Sequence, residues 1–305
     1  MIPLRFGHPG PSPLHCYKMH GLGNDYIYVL EGDLPSSVDL SVLAMEVSDR
    51  HRGIGSDGLV LVGAGENTDF TMRIWNADGS EAQMCGNASR CVALLVRLLG
   101  LTDKVDITLW TKSGVKSLHL NLDDKGQVAS VTVDMGVPEL SARAIPVNPD
   151  IVAGGEPSTF KADTPAGLLE FVPVGMGNPH GVTFLPDAPD DSLVHVCGPF
   201  MERHEAWPEK ANIEFASVMD RANIAMRVWE RGSGETMACG TGACATAVAA
   251  ILTGRAGRKV TIHLPGGALS IEWRCSDSHV LMTGPASFVA EIEYFPCLRG
   301  EDTDI

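Results

Sequence analysis

The sequence predicts an α+β fold of two pseudo-symmetric domains, each a mostly antiparallel sheet or barrel wrapped around a central helix. Three observations lead there. The segment RIWNADGSEAQMCGN at 73–87 returns without a gap as RVWERGSGETMACGT at 227–241. The cysteines of these copies, Cys85 and Cys239, stand 154 residues apart, and so do two asparagines that follow glycines, Asn24 and Asn178. Many short strand-like runs alternate with only three helical ones. A common offset across some sixty residues is the mark of internal duplication, and 305 residues suit two domains of ordinary size.

In chain order, β-branched or aromatic runs bounded by Gly, Pro or Asp predict strands over 26–30, 59–62, 69–75, 105–110, 128–135, 181–185, 213–218, 224–229, 260–263, 268–273 and 288–294. Residues 36–50 read as an amphipathic helix. Residues 87–99 and 241–252 are apolar nearly all round, as helices enclosed by their own domains are. The boundary is expected near Gly136-Val137-Pro138, giving an N-terminal domain over 1–136 and a C-terminal domain over 137–284. The last strand, after Gly284-Pro285, returns to the first domain so that 285–305 complete it. Residues 1 to about 15 and the acidic 301–305 read as loose ends.

A hydrophobic fraction of 44% and a charged fraction of 20% describe an ordinary globular chain. The net charge of −15 argues against nucleic acid as a partner, because phosphate backbones require a basic footprint. No apolar run reaches the ~18 residues of a membrane span, and the first residues lack the apolar centre of a secretion signal. A cytoplasmic protein with no membrane partner is expected. The eight cysteines then read as free thiols rather than a disulfide framework. Cys85/Cys91 and Cys239/Cys244 lack C-x₂-C spacing, so no metal site is expected.

The chemistry follows from where two cysteines sit. Cys85 and Cys239 each precede a helix start, where unpaired N–H groups and the helix dipole favour negative charge. That placement is expected to lower a thiol from its free pKa of about 8.5 toward neutrality. It also makes Gly86-Asn87 and Gly240-Thr241 a site for one carboxylate. If both helix tips point into one cleft, a ligand carbon lies between two sulfurs, one removing a proton and the other returning one on the opposite face. Inversion of a stereocentre results, with no redox cofactor. Cys91 and Cys244 are turned by about 240° and 140° from those cysteines. They read as core residues, as do Cys16, Cys197, Cys275 and Cys297. His180, in a GNPHG turn, reads either as a ring capping the backbone or as a ligand group. Glu230-Arg231 read either as a surface ion pair or as site residues at a strand end before Cys239. GIGSDG at 53–58 lacks the Lys-Ser/Thr of a phosphate loop and reads as a tight turn shaping the cleft.

KMHGLGNDY at 18–26, RGIGSDG at 52–58, NADGSEAQMCGNASRC at 76–91, MGNPHG at 176–181, PEKANIEF around Asn212 and ERGSGETMACGTGACA at 230–245 together resemble the pyridoxal-independent diaminopimelate epimerases. The resemblance runs from about residue 18 to 285, with the motifs in family order. It implies interconversion of LL- and meso-diaminopimelate by Cys85 and Cys239 as paired acid and base, without a cofactor, in lysine and peptidoglycan synthesis. It also implies a homodimer. Carried over residue by residue, it makes Asn24, Asn76, Asn178, Asn212 and Arg231 substrate-binding, with Arg231 gripping the distal carboxylate. It sets His180 and Glu230 beside the cysteines, Glu230 also touching substrate, and makes Gly86, Asn87, Gly240 and Thr241 the carboxylate-binding helix tips. Departures from the pattern are Ala88 where a glycine is usual, Tyr26 for a common Phe, and Gly58 for a Gln in some members. They leave room for a racemase of another amino acid, such as histidine, on the same fold. A non-catalytic relative of the phenazine-biosynthesis type is disfavoured by the cysteine pair.

Overall fold

Each glycine-bounded apolar run settles into a strand, and the strands close around the two apolar helices. The computed structural model describes residues 13–35, 38–153, 155 and 157–296. The first half runs β1 (Leu14–Gly21), β2 (Asn24–Leu30), α1 (Leu40–Ser48), β3 (Gly58–Ala64), β4 (Phe70–Asn76), β5 (Glu81–Ala82), α2 (Gly86–Leu98), β6 (Asp106–Thr111), β7 (Gly114–Leu122) and β8 (Val128–Asp134). The second half runs β9 (Phe160–Thr164), β10 (Gly167–Gly175), β11 (Pro179–Leu185), α3 (Asp191–Glu202), β12 (Asn212–Asp220), β13 (Asn223–Glu230), β14 (Gly234–Glu235), α4 (Gly240–Leu252), β15 (Lys259–Leu264), β16 (Gly267–Trp273) and β17 (Val280–Gly284). The final strand, β18 (Ser287–Tyr294), pairs antiparallel with β1.

The duplication is visible strand by strand. Pairing is antiparallel except for β2–β3 and β4–β6 in the first half and β11–β12 and β13–β15 in the second. The hairpins β6–β7 and β15–β16 close on matching pairs, Thr111–Gly114 and Leu264–Gly267. Leu118 then pairs with Val133 as Ile271 pairs with Met282. The matched strands β8 and β17 pair with each other, and Val133 faces Met282. Equivalent residues facing each other across antiparallel strands place the pseudo-twofold axis at that pair. Met282 reaches back from it to both central helices: a β-carbon on Gly86 would stand 2.7 Å from its Cε, and one on Gly240 would stand 3.0 Å from its Sδ. Both helix starts are glycine because the sulfur side chain on the axis fills the space between them.

The helices earn their central position through side-chain size. In α2, Val92, Leu95 and Val96 are fully buried, and each such aliphatic contributes roughly 1.5–3 kcal/mol by leaving water. The helix packs against β1, β7 and β8. In α4 the buried residues are mostly alanines, including Ala243, Ala247 and Ala250, so β10, β11, β12 and β16 approach its backbone closely. At the joint between the halves, Leu22 and Gly23 both adopt positive φ, 58° and 86°, which a two-residue hairpin of the primed type demands. This turn, immediately before Asn24, packs on the second half. A β-carbon on Gly266 would stand 2.0 Å from the Leu22 carbonyl oxygen, and one on Gly23 would touch Met237.

Several expectations are corrected. The helix expected over 36–50 spans Leu40–Ser48, because Asp39 caps it by accepting from the Ser41 and Val42 amides; Ser36 and Ser37 lie outside the described residues. Residues 14 and 15, assigned to a loose end, belong to β1, where Leu14 is buried and pairs with Tyr294. Residues 1–12, 301–305 and Cys297 lie outside the described residues. Strands β1, β5, β7, β9, β10, β14 and β17 had no expectation: His, Lys, Ser or Glu dilute the apolar pattern in β1, β7, β9 and β10, and β5, β14 and β17 are only two to five residues long. The helix α3 had none either, because Gly198-Pro199 reads as a break. Asp190 starts it by accepting from the Leu193 amide at 2.7 Å. Gly198 is needed there, since a β-carbon would stand 2.7 Å from the Trp229 ring.

Candidate active site

Cys85 and Cys239 are themselves the N-caps of α2 and α4. Both have extended backbone, and each sulfur accepts from the amide three residues on: Ala88 to Cys85 at 3.5 Å and Gly242 to Cys239 at 3.4 Å. The helices therefore begin at Gly86 and Gly240, one residue earlier than expected, since cysteine is not among the usual capping residues. The two 13-residue helices occupy the same place in each half. Cys239 is buried and Cys85 half-buried.

Asn87, one residue into α2, ties the halves together. Its Nδ2 donates to the Ala238 carbonyl at 3.1 Å, directly before Cys239, and to Asn24 Oδ1 at 3.3 Å. Asn24 Oδ1 also accepts from Cys85 Sγ at 3.5 Å. Asn24 is fixed from behind by the GIGSDG turn: its Nδ2 donates to Asp57 Oδ2 at 2.8 Å, and Arg50 clamps Asp57 and Asp25 together at 2.9 and 2.8 Å. The turn thus orders a site residue, which the sequence reading left as general shaping of the cleft.

On the other side, Thr241 Oγ1 lies 3.5 Å from Cys239 Sγ. Glu230 accepts from the Thr236 hydroxyl and neighbours Cys239. His180 is fully enclosed, with Nε2 2.8 Å from Asn178 Oδ1 and Nδ1 2.7 Å from Glu214 Oε1. Asn212 Oδ1 accepts from the Arg231 amide at 3.0 Å, and its Nδ2 donates to the Pro179 carbonyl at 3.0 Å, binding the Glu230-Arg231 corner to the His180 strand. Arg231 itself is exposed, its guanidinium donating to the Glu209 carbonyl at 3.2 Å. The Glu230–Arg231 surface ion pair that the sequence left open is not formed, since Glu230 turns inward. Asn76, at the end of β4, bonds locally to Ser80 Oγ at 3.0 Å. Of the residues singled out from sequence, Asn76 and the guanidinium of Arg231 stand apart from the hydrogen-bonded groups around the cysteines.

Electrostatics overturn one expectation. Burial pushes the Cys85 thiol up from its ordinary value, outweighing the amides of Ala88 and Asn87 that pull it down. Cys239 is raised as well, by burial first and then by Glu230 and Glu214. Helix-end N–H groups supply partial charges only, while enclosure removes the full hydration of a thiolate. The two thiols therefore rest protonated more readily than helix placement alone suggests, and a cationic group from a ligand would favour ionisation. Burial likewise pushes the Glu230 carboxyl up. Cys91 and Cys244, expected in the core, are fully buried, and burial raises their thiols to about 11 and about 12. Cys16 and Cys197 are buried as expected, whereas Cys275, also read as a core residue, is exposed because it lies in the turn after β16.

Three groups escaped the sequence reading. Glu214 of β12 and Arg90 of α2 are fully buried charges close to the cysteines. Glu202 of α3 accepts from Trp229 Nε1 at 3.0 Å and from the Gly232 amide at 3.1 Å, so the missed helix holds the corner that carries Glu230 and Arg231. The available signal was a charge inside an otherwise apolar run, Arg in NASRCVALLV and Glu in ANIEFASV.

A family model described as Diaminopimelate epimerase matches residues 16–141 and 172–289. Curated proteins of that name include one from Bacteroides thetaiotaomicron, 49% identical over 276 residues covering 90% of this chain and 96% of the relative. Another, from Methanococcus maripaludis, is 47% identical over 279 residues covering 90% and 98%. Among solved structures, a hydroxyproline epimerase from Agrobacterium vitis with bound trans-4-hydroxy-L-proline matches with a TM-score of 0.65 over 94% of each chain, at 15% identity. A phenazine biosynthesis protein of the PhzF family from Bacillus anthracis matches at 0.64 over 92% of this chain and 99% of its own, also at 15% identity. At such identity the likeness concerns the fold, and it is the sheet-dominated α+β fold expected from the duplication.

Proposed function

The chain belongs to the diaminopimelate epimerase family, and on that premise we propose that it interconverts LL- and meso-diaminopimelate with Cys85 and Cys239 as the paired base and acid. The observation that carries the reading is that both cysteines play one structural role, capping equivalent helices whose first residues meet at Met282. A substrate α-carboxylate held by Gly86-Asn87 and Gly240-Thr241 sets the α-carbon between two sulfurs. The thiolate on one face takes the α-proton, and the thiol on the other returns one. The α-hydrogen is much less acidic than a thiol, so the developing negative charge must be stabilised where it appears. Amide donors of this kind contribute ~10²–10³ in rate each in other enzymes.

Asn24, Asn76, Asn178 and Asn212 serve as further polar contacts to substrate, and Arg231 takes the distal carboxylate. That the guanidinium is exposed and, among the described residues, bound only to one backbone carbonyl supports this duty, since a ligand carboxylate can engage it without breaking an ion pair. Glu230 and His180 support the thiols and the substrate ammonium. The histidine-racemase alternative is not favoured by the named relatives. We take the domains as 1–136 completed by 285–305, and 137–284; the β18–β1 pairing supports that division. The protein acts as a cytoplasmic homodimer and requires neither pyridoxal phosphate nor metal. Chiral chromatography of LL-diaminopimelate incubated with enzyme treated with hydroxylamine and a chelator is expected to show conversion to the meso isomer at the untreated rate. Loss of that conversion on treatment would sink the cofactor-free reading.

A further inference from the structure

The duplication is symmetric in its cysteines and asymmetric in the charges beneath them. Arg90 stands five residues beyond Cys85, and the matching position beyond Cys239 is Cys244. Glu214 pairs with Val228 on β12–β13 as Val60 pairs with Ile74 on β3–β4, so the counterpart of Glu214 is Val60. Each half has thus exchanged one apolar core position for a charge, of opposite sign in the two halves, and both charges are fully buried.

Neither charge is there for an ion pair of its own making at the surface. Among the described residues, Arg90 reaches only uncharged acceptors: the Pro285 carbonyl at 3.0 Å, Asn87 Oδ1 at 2.9 Å, the Gly86 carbonyl at 3.5 Å and Met282 Sδ at 3.8 Å. A guanidinium stays charged, and one enclosed without an anion is costly unless something nearby becomes negative. Glu214 offers Oε1 to His180 and leaves Oε2 enclosed without a partner. Its carboxylate lies under the first turn of α4: the point where Gly242 would carry a β-carbon is 2.8 Å from Glu214 Oε1 and 3.3 Å from Cys239 Sγ. In a low-dielectric interior, such neighbours act strongly on whether a sulfur can hold negative charge.

We propose that Arg90 and Glu214 polarise the cysteine pair, so that Cys85 is the sulfur that ionises first and Cys239 the one that keeps its proton. Glu230 disfavours ionisation of both sulfurs, so the difference between them lies with Arg90 on the Cys85 side and Glu214 on the Cys239 side. Around Cys85 the charged and titratable groups are Arg90 of α2, Tyr26 and Tyr28 of β2, Cys91 of α2 and Glu230 of β13. Around Cys239 they are two carboxylates, Glu230 of β13 and Glu214 of β12, with His180 of β11 bonded to the second. On the epimerase reading, from which these roles follow, the resting enzyme takes the α-proton from the Cys85 face. The C–H bond breaks with its proton passing to the Cys85 thiolate, and the Cys239 S–H bond breaks to protonate the carbanion opposite. Cys85 ends as the thiol and Cys239 as the thiolate, and exchange with solvent restores the start. Arg90 and Glu214 touch no reacting atom; they are positioning residues that act through the sulfurs.

Timed labelling with iodoacetamide, in which a thiolate displaces iodide to form a carbon–sulfur bond, measures each sulfur by peptide mass spectrometry across a pH series. The midpoint of each profile is independent of how accessible the sulfur is. Cys85 should ionise at least ~1 pH unit below Cys239, and Glu214→Gln should bring the Cys239 midpoint down by about one unit, a tenfold gain in thiolate at fixed pH. In the same variant the Cys85 midpoint should stay within ~0.3 unit, a difference that a general loosening of the fold would not produce. Equal midpoints in the wild-type protein, or the reverse order, overturn the proposal even if the variant fails to fold. So does a Glu214→Gln protein whose two midpoints move together. The labelling needs no substrate, so a failure of diaminopimelate turnover would count against the epimerase reading and leave the ionisation order standing.

Discussion

Replacing Cys85 or Cys239 by alanine is expected to reduce epimerisation by ~10³-fold or more, the upper range for a lost general acid or base. Each thiol serves one face of the α-carbon, and neither can take over the other's face because each is fixed as the cap of its own helix. The same capping gives the experiment an internal control. Removing the sulfur takes away the acceptor for Ala88 or Gly242, which costs about 1 kcal/mol of stability as other lost caps do. A serine at either position keeps a capping oxygen. Cys85→Ser and Cys239→Ser should therefore melt close to the wild-type temperature and still be inactive. Near-wild-type activity in any of the four variants, measured in both reaction directions, would end the two-base account.

The second large effect concerns the far end of the substrate. Arg231→Met should lower kcat/KM for diaminopimelate by ~10²-fold or more, the 2–5 kcal/mol of a charge pair that becomes enclosed when the bound substrate covers the guanidinium. Weak α-exchange of an amino acid without the distal carboxylate should change far less. The guanidinium is exposed and its one bond goes to a backbone carbonyl, so the melting temperature should barely move, within about 0.5 kcal/mol of stability. Equal losses on both substrates would reassign Arg231 to the reaction centre or to the fold.

Much of this was legible in the sequence because duplication compares the chain with itself. The Cys-Gly pairs, the matched asparagines and the two apolar helices needed no structure, since small residues at fixed offsets report close backbone approach in both copies. What was lost lies where one residue says two things. Gly198-Pro199 looks like a break, yet α3 passes through it, with Gly198 making room for Trp229. Arg90 and Glu214 sit inside runs that read as plain core, and their importance appears only once the halves are superposed and no counterpart is found. The thiol expectation failed for a related reason: a helix start can be seen in sequence, whereas the enclosure that outweighs it is a property of the closed sheets.

The most direct test of the central claim is the fate of the α-hydrogen in D₂O. LL-diaminopimelate converted briefly by the purified protein should yield meso product carrying one deuterium at the inverted centre, while the substrate recovered at the same time retains protium. Two separate sulfurs predict that pattern, because the proton removed on one face is not the one delivered on the other. Inverted product retaining its original protium, or deuterium entering recovered substrate as fast as product forms, would contradict it and point to a single group serving both faces.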